Sequence, residues 1–247
     1  MKPAKISAAL LALALSGSTL AATFTLDYRH EYRDKYAQNF DRLCVIGTFE
    51  NNVGFYVDSS YHSWGKDAYG TEGYHEGQWG DFGTSATEMS VWWKYQVAGS
   101  GWSLTPGLAA ESNSESTGWK HYLRVQYNFA DSGLWLALRP RFDYWRFDED
   151  GKGDQKNGRV DAWVGYNCGN FGINYNYTYM RALNDHADGS ERHMYNGKSW
   201  NYEHNIALNY RMGQFNPYVE IGNIAADGTA DKSGRQTRAR AGFQYTF

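Results

Sequence analysis

The sequence predicts an all-β chain, a transmembrane antiparallel β-barrel of 12 strands with short periplasmic turns and long extracellular loops. Three observations carry the expectation. First, beyond its N-terminus the chain divides into segments of about ten residues with alternating apolar and polar side chains, the length and period of a tilted strand crossing hydrocarbon. Second, nothing in that part approaches the roughly 18 consecutive apolar residues of a membrane-crossing helix. Third, the closing stretch from Arg238 puts Ala239, Ala241, Phe243, Tyr245 and the terminal Phe247 on one face, against Arg238, Arg240, Gly242, Gln244 and Thr246. A last strand that is apolar outside, charged inside and ends on an aromatic closes a barrel in lipid, where every backbone polar group must pair within the sheet.

Residues 1–22 read as an export signal, with Lys2 and Lys5 ahead of an apolar run over 6–15. Small residues over 16–22 suit cleavage after Ala21 or Ala22. The barrel then occupies residues 23–247 as a single domain. Without the two signal lysines, 22 of the 24 basic residues face 27 acidic ones, a formal charge of −5 that argues against nucleic acid. Aromatics make up 17% of the chain, with 20 Tyr and 10 Trp, a supply suited to girdles at both membrane interfaces. Cys44 falls in an early strand and Cys168 in a distant turn, which favours free thiols.

Strand by strand, residues 24–32 turn Phe24, Leu26, Tyr28, His30 and Tyr32 outward and Asp27, Arg29 and Glu31 inward. Residues 41–50 set Leu43, Val45 and Phe49 against Arg42, Thr48 and Glu50. Asn51-Asn52 turns tightly into a third strand through Val53, Phe55 and Val57 to Tyr61. A polar, glycine-rich stretch, 62–83, follows. Residues 86–97 form the fourth strand and 102–111 the fifth, where Pro106 predicts a bulge. Residues 119–129 oppose His121, Leu123, Val125, Tyr127 and Phe129 to Lys120, Arg124, Gln126 and Asn128. Residues 134–147 turn Arg139, Arg141 and Asp143 inward, and 158–166 do the same with Arg159 and Asp161. The ninth strand sets Phe171, Ile173, Tyr175, Tyr177 and Tyr179 against Asn174, Asn176 and Thr178. Strands at 200–211, 215–223 and the closing stretch complete the set. Long links follow odd strands and short ones follow even strands, a sorting expected of an outer-membrane barrel.

The sequence resembles the oligogalacturonate-specific porin (KdgM) family, which includes a sialic acid channel, over nearly the whole mature chain. The likeness is carried by Leu26-Asp27-Tyr28-Arg29-His30-Glu31-Tyr32, Thr105-Pro106-Gly107, Arg139-Pro140-Arg141-Phe142-Asp143-Tyr144-Trp145, Asn216-Pro217-Tyr218-Val219-Glu220 and the aromatic-terminated last strand. The resemblance implies a monomeric outer-membrane channel that passes acidic sugars or oligosaccharides along basic residues. The loops 65–83 and 183–199 are long and idiosyncratic, and they leave the sugar open.

The residues give their own reason for an anionic solute. Inward arginines gather on two facing walls, with Arg29, Arg42, Arg238 and Arg240 on strands one, two and twelve. Arg124, Arg139, Arg141 and Arg159 stand on strands six to eight. A guanidinium stays charged and binds carboxylate through a planar fork, and conduction needs such contacts to be repeated and exchangeable. The same arginines can instead pair with the inward acids Asp27, Glu31, Asp143, Asp161, Glu203 and Glu220. Enzyme readings lack a site. Neither Ser112-Asn113 nor His62-Ser63 makes the His, then Ser and Asn, spacing of a barrel phospholipase. Asp81, Asp185, His186 and His193 offer only a loose acid/His group at loop height. The loop 148–154 has Lys152 where a calcium loop needs a ligand, so it is not an EF-hand. The expected function is passive uptake of acidic oligosaccharides, oligogalacturonides first, with sialic acid as the alternative. An outer-membrane hydrolase or an adhesive barrel stands outside that class. The expected partners are the solute and outer-membrane lipid, with no metal or cofactor.

Overall fold

Period-two alternation gives each strand a charged face and an apolar face, and a sheet built this way buries both only by closing with the charges inside. The computed structural model describes residues 22–35, 37–63, 83–149, 151–194, 197–226 and 234–247. They form β1 (Ala22–Arg33), β2 (Gln38–Phe49), β3 (Val53–Ser63) and β4 (Gly83–Trp93, resuming after Lys94 as Tyr95–Gln96). There follow β5 (Trp102–Ser112), β6 (Ser116–Asn128), β7 (Leu134–Phe147) and β8 (Gln155–Cys168). The chain ends with β9 (Phe171–Ala182), β10 (Trp200–Tyr210), β11 (Phe215–Ala225) and β12 (Arg235–Thr246). Every strand pairs antiparallel with the next, and β1 pairs with β12 from Thr25↔Thr246 to Arg33↔Arg238. The ring is closed, so no edge strand is left in lipid.

The burial pattern is inverted relative to a soluble protein. Asp27, Glu31, Lys120, Asp143, Asp161 and Arg238 are buried, whereas Val91, Leu138, Ile206, Val219 and Ile221 are exposed. Directly paired residues share a face, so the register carries one face around the wall: Glu220↔Arg240↔Glu31 on one side and Asp143↔Lys120, Arg139↔Asp161 on the other. Two aromatic levels band the outside. Trp102 packs on Tyr127 at 4.8 Å and Tyr245 on Phe247 at 5.0 Å near the short turns, and Trp119–Tyr144 and Tyr179–Trp200 form the other level.

Several expectations change. The links 34–37 and 113–115 are as tight as the turns at the opposite end, so the sorting of links by length is not strict. The reason is that β2 begins at Gln38 and β6 at Ser116, where polar residues carry the strands past the apolar belt. Pro106 makes no bulge. The register on either side of it is continuous (Trp92↔Gly107, Tyr95↔Leu104), and only the ladder lapses, because proline has no N–H to donate. The shift in register falls instead between Ser60 and Tyr61. Cys168 ends β8 rather than sitting in a turn, and both cysteines are free. Residues 1–21, which hold nearly all of the expected signal, lie outside the described residues, as do 64–82 with Asp81, Asp150 and 227–233.

Candidate solute-binding lumen

The lumen follows from register. Several aromatic side chains face inward, and five of them are paired directly with a glycine: Trp92 with Gly54, Tyr122 with Gly107, Trp145 with Gly118, Trp135 with Gly165 and Tyr218 with Gly242. A Cβ at Gly165 would stand 2.2 Å from the Trp135 ring, and one at Gly107 would stand 2.3 Å from Tyr122. The rings therefore lie against the wall over bare backbone. The sequence reading assigned tyrosine and tryptophan mainly to girdles and missed these, although Trp135 and Trp145 share the parity of Arg139 and Tyr122 that of Arg124.

All eight sequence-identified arginines fall on the inward parity. Six are met by carboxylates. Arg42 reaches Asp27 at 3.2 Å and Asp58 at 3.6 Å. Arg139 and Arg159 share Asp161 at 3.0 and 2.7 Å, and Thr178 donates its hydroxyl to the same carboxylate at 2.7 Å. Arg141 binds Asp143 at 2.6 Å. Arg240 bridges Glu31 at 2.6 Å and Glu220 at 2.7 Å, and Arg238 lies 3.5 Å from Glu220 and 3.7 Å from Glu203. Structural pairing is thus the state of most of the set.

Arg29 and Arg124 differ. Among the described residues neither has a carboxylate within ion-pair distance, and Arg29 Nε is buried with no partner. Arg124 donates only to Gln126, at 2.9 Å. It lies 4.6 Å from the Trp163 ring centroid, with Arg139 5.2 Å from the same ring and 5.5 Å from Tyr122. The aromatic faces hold both guanidiniums side by side without neutralising them. Arg29, Arg42 and Arg240 of one wall and Arg159 of the other line a common cavity of about 380 Å³.

Sequence reasoning also missed an acidic counterpart. Lys120 is buried between Glu88 and Glu111, and Tyr56 donates its hydroxyl to Glu88. Glu111 was taken as a strand end, and Asp58 was not counted inward. The register Cys44↔Asp58↔Glu88↔Glu111 puts them in one row across β2 to β5.

Above the barrel, Arg192 ties the link 183–194 to the end of β8 through Lys156 O at 2.7 Å, Asn157 Oδ1 at 2.6 Å and Gln155 Oε1 at 3.0 Å. Burial pulls its guanidinium below the ordinary value. The Ser190 hydroxyl and amide hold Asp188 below the usual carboxylate range. His193 lies 3.5 Å from Glu191 and not against Asp185, so the loose acid/His group is not assembled among the described residues. In the 148–154 loop Lys152 lies 3.8 Å from Glu149, and no His/Cys/Asp/Glu cluster fit for a metal occurs among the described residues.

Comparison with known proteins agrees with this architecture. The profile of the family described as oligogalacturonate-specific porin protein (KdgM) matches residues 16–247. The oligogalacturonate-specific porin KdgM of Dickeya dadantii is 30% identical over 255 residues, covering 98% of this chain and 100% of the relative. The solved KdgM porin in complex with disordered oligogalacturonate superposes with a TM-score of 0.63 at 26% identity, over 90% of this chain and 99% of the other. The NanC porin has the same fold, with a TM-score of 0.68 at 18% identity over 89% and 98% of the two chains. Closed ring, inward charge and family match converge: the chain belongs to the KdgM family of porins, β-barrels of the Gram-negative outer membrane.

Proposed function

We propose that this porin carries acidic oligosaccharides, oligogalacturonides first, by passive diffusion through a lumen in which Arg29 and Arg124 make the first exchangeable contacts. The carrying observation is that these two guanidiniums, on opposite walls, have no carboxylate of their own among the described residues, while the other six are paired. A uronate carboxylate supplies what they lack. The paired arginines Arg42, Arg139, Arg141, Arg159, Arg238 and Arg240 act as secondary contacts, each exchanging a fixed acid for a passing one. Such contacts suit conduction because no single one is tight. The relative's bound oligogalacturonate supports the solute class. The barrel acts as a monomer, and cleavage after Ala21 or Ala22 removes the signal at the start of β1.

A planar-bilayer recording tests the proposal. The wild type is expected to prefer anions and to be blocked by trigalacturonate, and maltotriose serves as the neutral control. Arg29→Ala/Arg124→Ala is expected to lose both properties. Sialic acid is the second reading, and it takes over if N-acetylneuraminate blocks at lower concentration than trigalacturonate. A wild-type channel without anion preference, indifferent to both acidic sugars, overturns the proposal.

A further inference from the structure

The outer wall carries a feature that conduction does not use. Between β6 and β9 lies a hollow of about 540 Å³ lined by Leu123, Pro140, Phe142, Gly158, Val160 and Tyr179, with Arg181 at one end. Its origin is local. Pro140 has no N–H, and the β6–β7 ladder lapses between Tyr122↔Arg141 and Val125↔Leu138. On the next strand Gly158 has no side chain, and the nearest atoms a Cβ there would meet are those of Leu183, at 3.5 Å and beyond, an ordinary contact. Two low residues on adjacent strands are thus flanked by taller apolar ones.

Arg181 is paired in the sheet with Gly158 on one side and Trp200 on the other. It therefore stands at the aromatic level where lipid headgroups begin. Lys156 and Arg146 continue outward beyond it on the same face, next to Tyr144. None of these three cations makes an ion pair among the described residues. The nearby acids are engaged elsewhere: Asp154 accepts the Tyr144 hydroxyl, and Glu115 and Glu149 lie by Lys152. Facing lipid, these cations cannot reach a lumen solute.

We propose that this hollow binds a phosphorylated, acylated lipid of the outer leaflet. An acyl chain lies over Pro140 and Gly158, and a phosphate sits on Arg181. The apolar trough fits a chain, and the guanidinium fork fits phosphate.

Native mass spectrometry of the folded, detergent-solubilised porin, titrated with diphosphoryl lipid A and with its dephosphorylated form, tests this. The wild type is expected to retain the phosphorylated form preferentially. Arg181→Gln should cut that retention roughly fivefold, as expected for one cation at a membrane surface, and abolish the preference. Gly158→Leu fills the trough and should lower retention of both forms, with bilayer conductance showing that the barrel is intact. Three results overturn the proposal: no preference in the wild type, both variants binding like the wild type, or inorganic phosphate displacing the lipid while Gly158→Leu binds normally, which would mean an anion site only.

Discussion

Asp161→Asn separates the pairing of the lumen arginines from their use. Asp161 is fully buried, and its carboxylate takes Arg139 at 3.0 Å, Arg159 at 2.7 Å and the Thr178 hydroxyl at 2.7 Å. Asparagine preserves shape, and its amide oxygen still accepts from Thr178, so the loss falls on the two charged contacts. Hydrogen bonds to charged groups are worth about 1.5–3 kcal/mol each. The guanidiniums keep 25% and 22% of their side-chain surface in the water-filled lumen. Solvent screening therefore holds the net cost to about 3 kcal/mol, the lower end for breaking a buried pair. In exchange, Arg139 and Arg159 join Arg124 as uncompensated cations. One added unit charge acting at about 4 Å through water contributes about 1 kcal/mol, which concentrates anions at the site roughly fivefold and depletes cations by a similar factor. Reversal potentials under a potassium chloride gradient should shift toward chloride at about 0.1 M salt. The shift should shrink at about 1 M, where the Debye length is near 3 Å. Urea unfolding into detergent reads the stability cost. A folded Asp161→Asn barrel with wild-type selectivity at low salt refutes the idea that fixed carboxylates hold these arginines in reserve.

Other substitutions probe neighbouring parts of the argument. Gly165→Ala puts a Cβ 2.2 Å from Trp135 and must drive the ring off the wall; single-channel conductance should fall, and an unchanged value would show that the ring is not held flat by the glycine. Arg240→Ala leaves Glu31 with Arg33 alone and Glu220 with Arg238 alone and should cost about 3 kcal/mol while shifting selectivity toward cations, read by the same unfolding and reversal-potential measurements. Arg192→Ala removes the hydrogen bonds that tie the link 183–194 to Gln155, Lys156 and Asn157; limited proteolysis there should quicken with no change in barrel melting.

How much was legible follows from what period two can encode. It gave the faces of Arg29, Arg124 and Asp161 directly, because parity along one strand needs no knowledge of its neighbours. The partners were not legible, since they depend on register, and a slip of one residue exchanges the two faces. Thus Glu111 and Asp58 came to light only as members of the row Asp58↔Glu88↔Glu111. Strand ends were missed at Gln38 and Ser116, because rim residues outside the lipid have no reason to alternate. Pro106 misled for a related reason: a missing N–H costs one ladder bond, which the neighbouring pairs tolerate without a bulge. The inward tryptophans were hidden by chemistry, since an aromatic residue signals an interface girdle unless the glycine opposite it is also known.

The mixture of paired and unpaired arginines answers two opposed demands. A barrel wall holding eight uncompensated guanidiniums would repel itself, at about 4 kcal/mol for each pair 4 Å apart near a protein surface. The strip Glu203–Arg238–Glu220–Arg240–Glu31–Arg33 removes that repulsion across β10, β11, β12 and β1. Complete pairing would leave no reason for an anion to enter. Arg29 avoids it by position, because its register partner on β2 is Arg42, whose own carboxylates lie on its far side and on β1 at Asp27. Arg124 avoids it by facing Trp163, which holds the guanidinium without taking its charge. On the proposed function, an entering carboxylate gains by relieving a repulsion already built into the wall, and it leaves when the next unpaired cation offers the same relief.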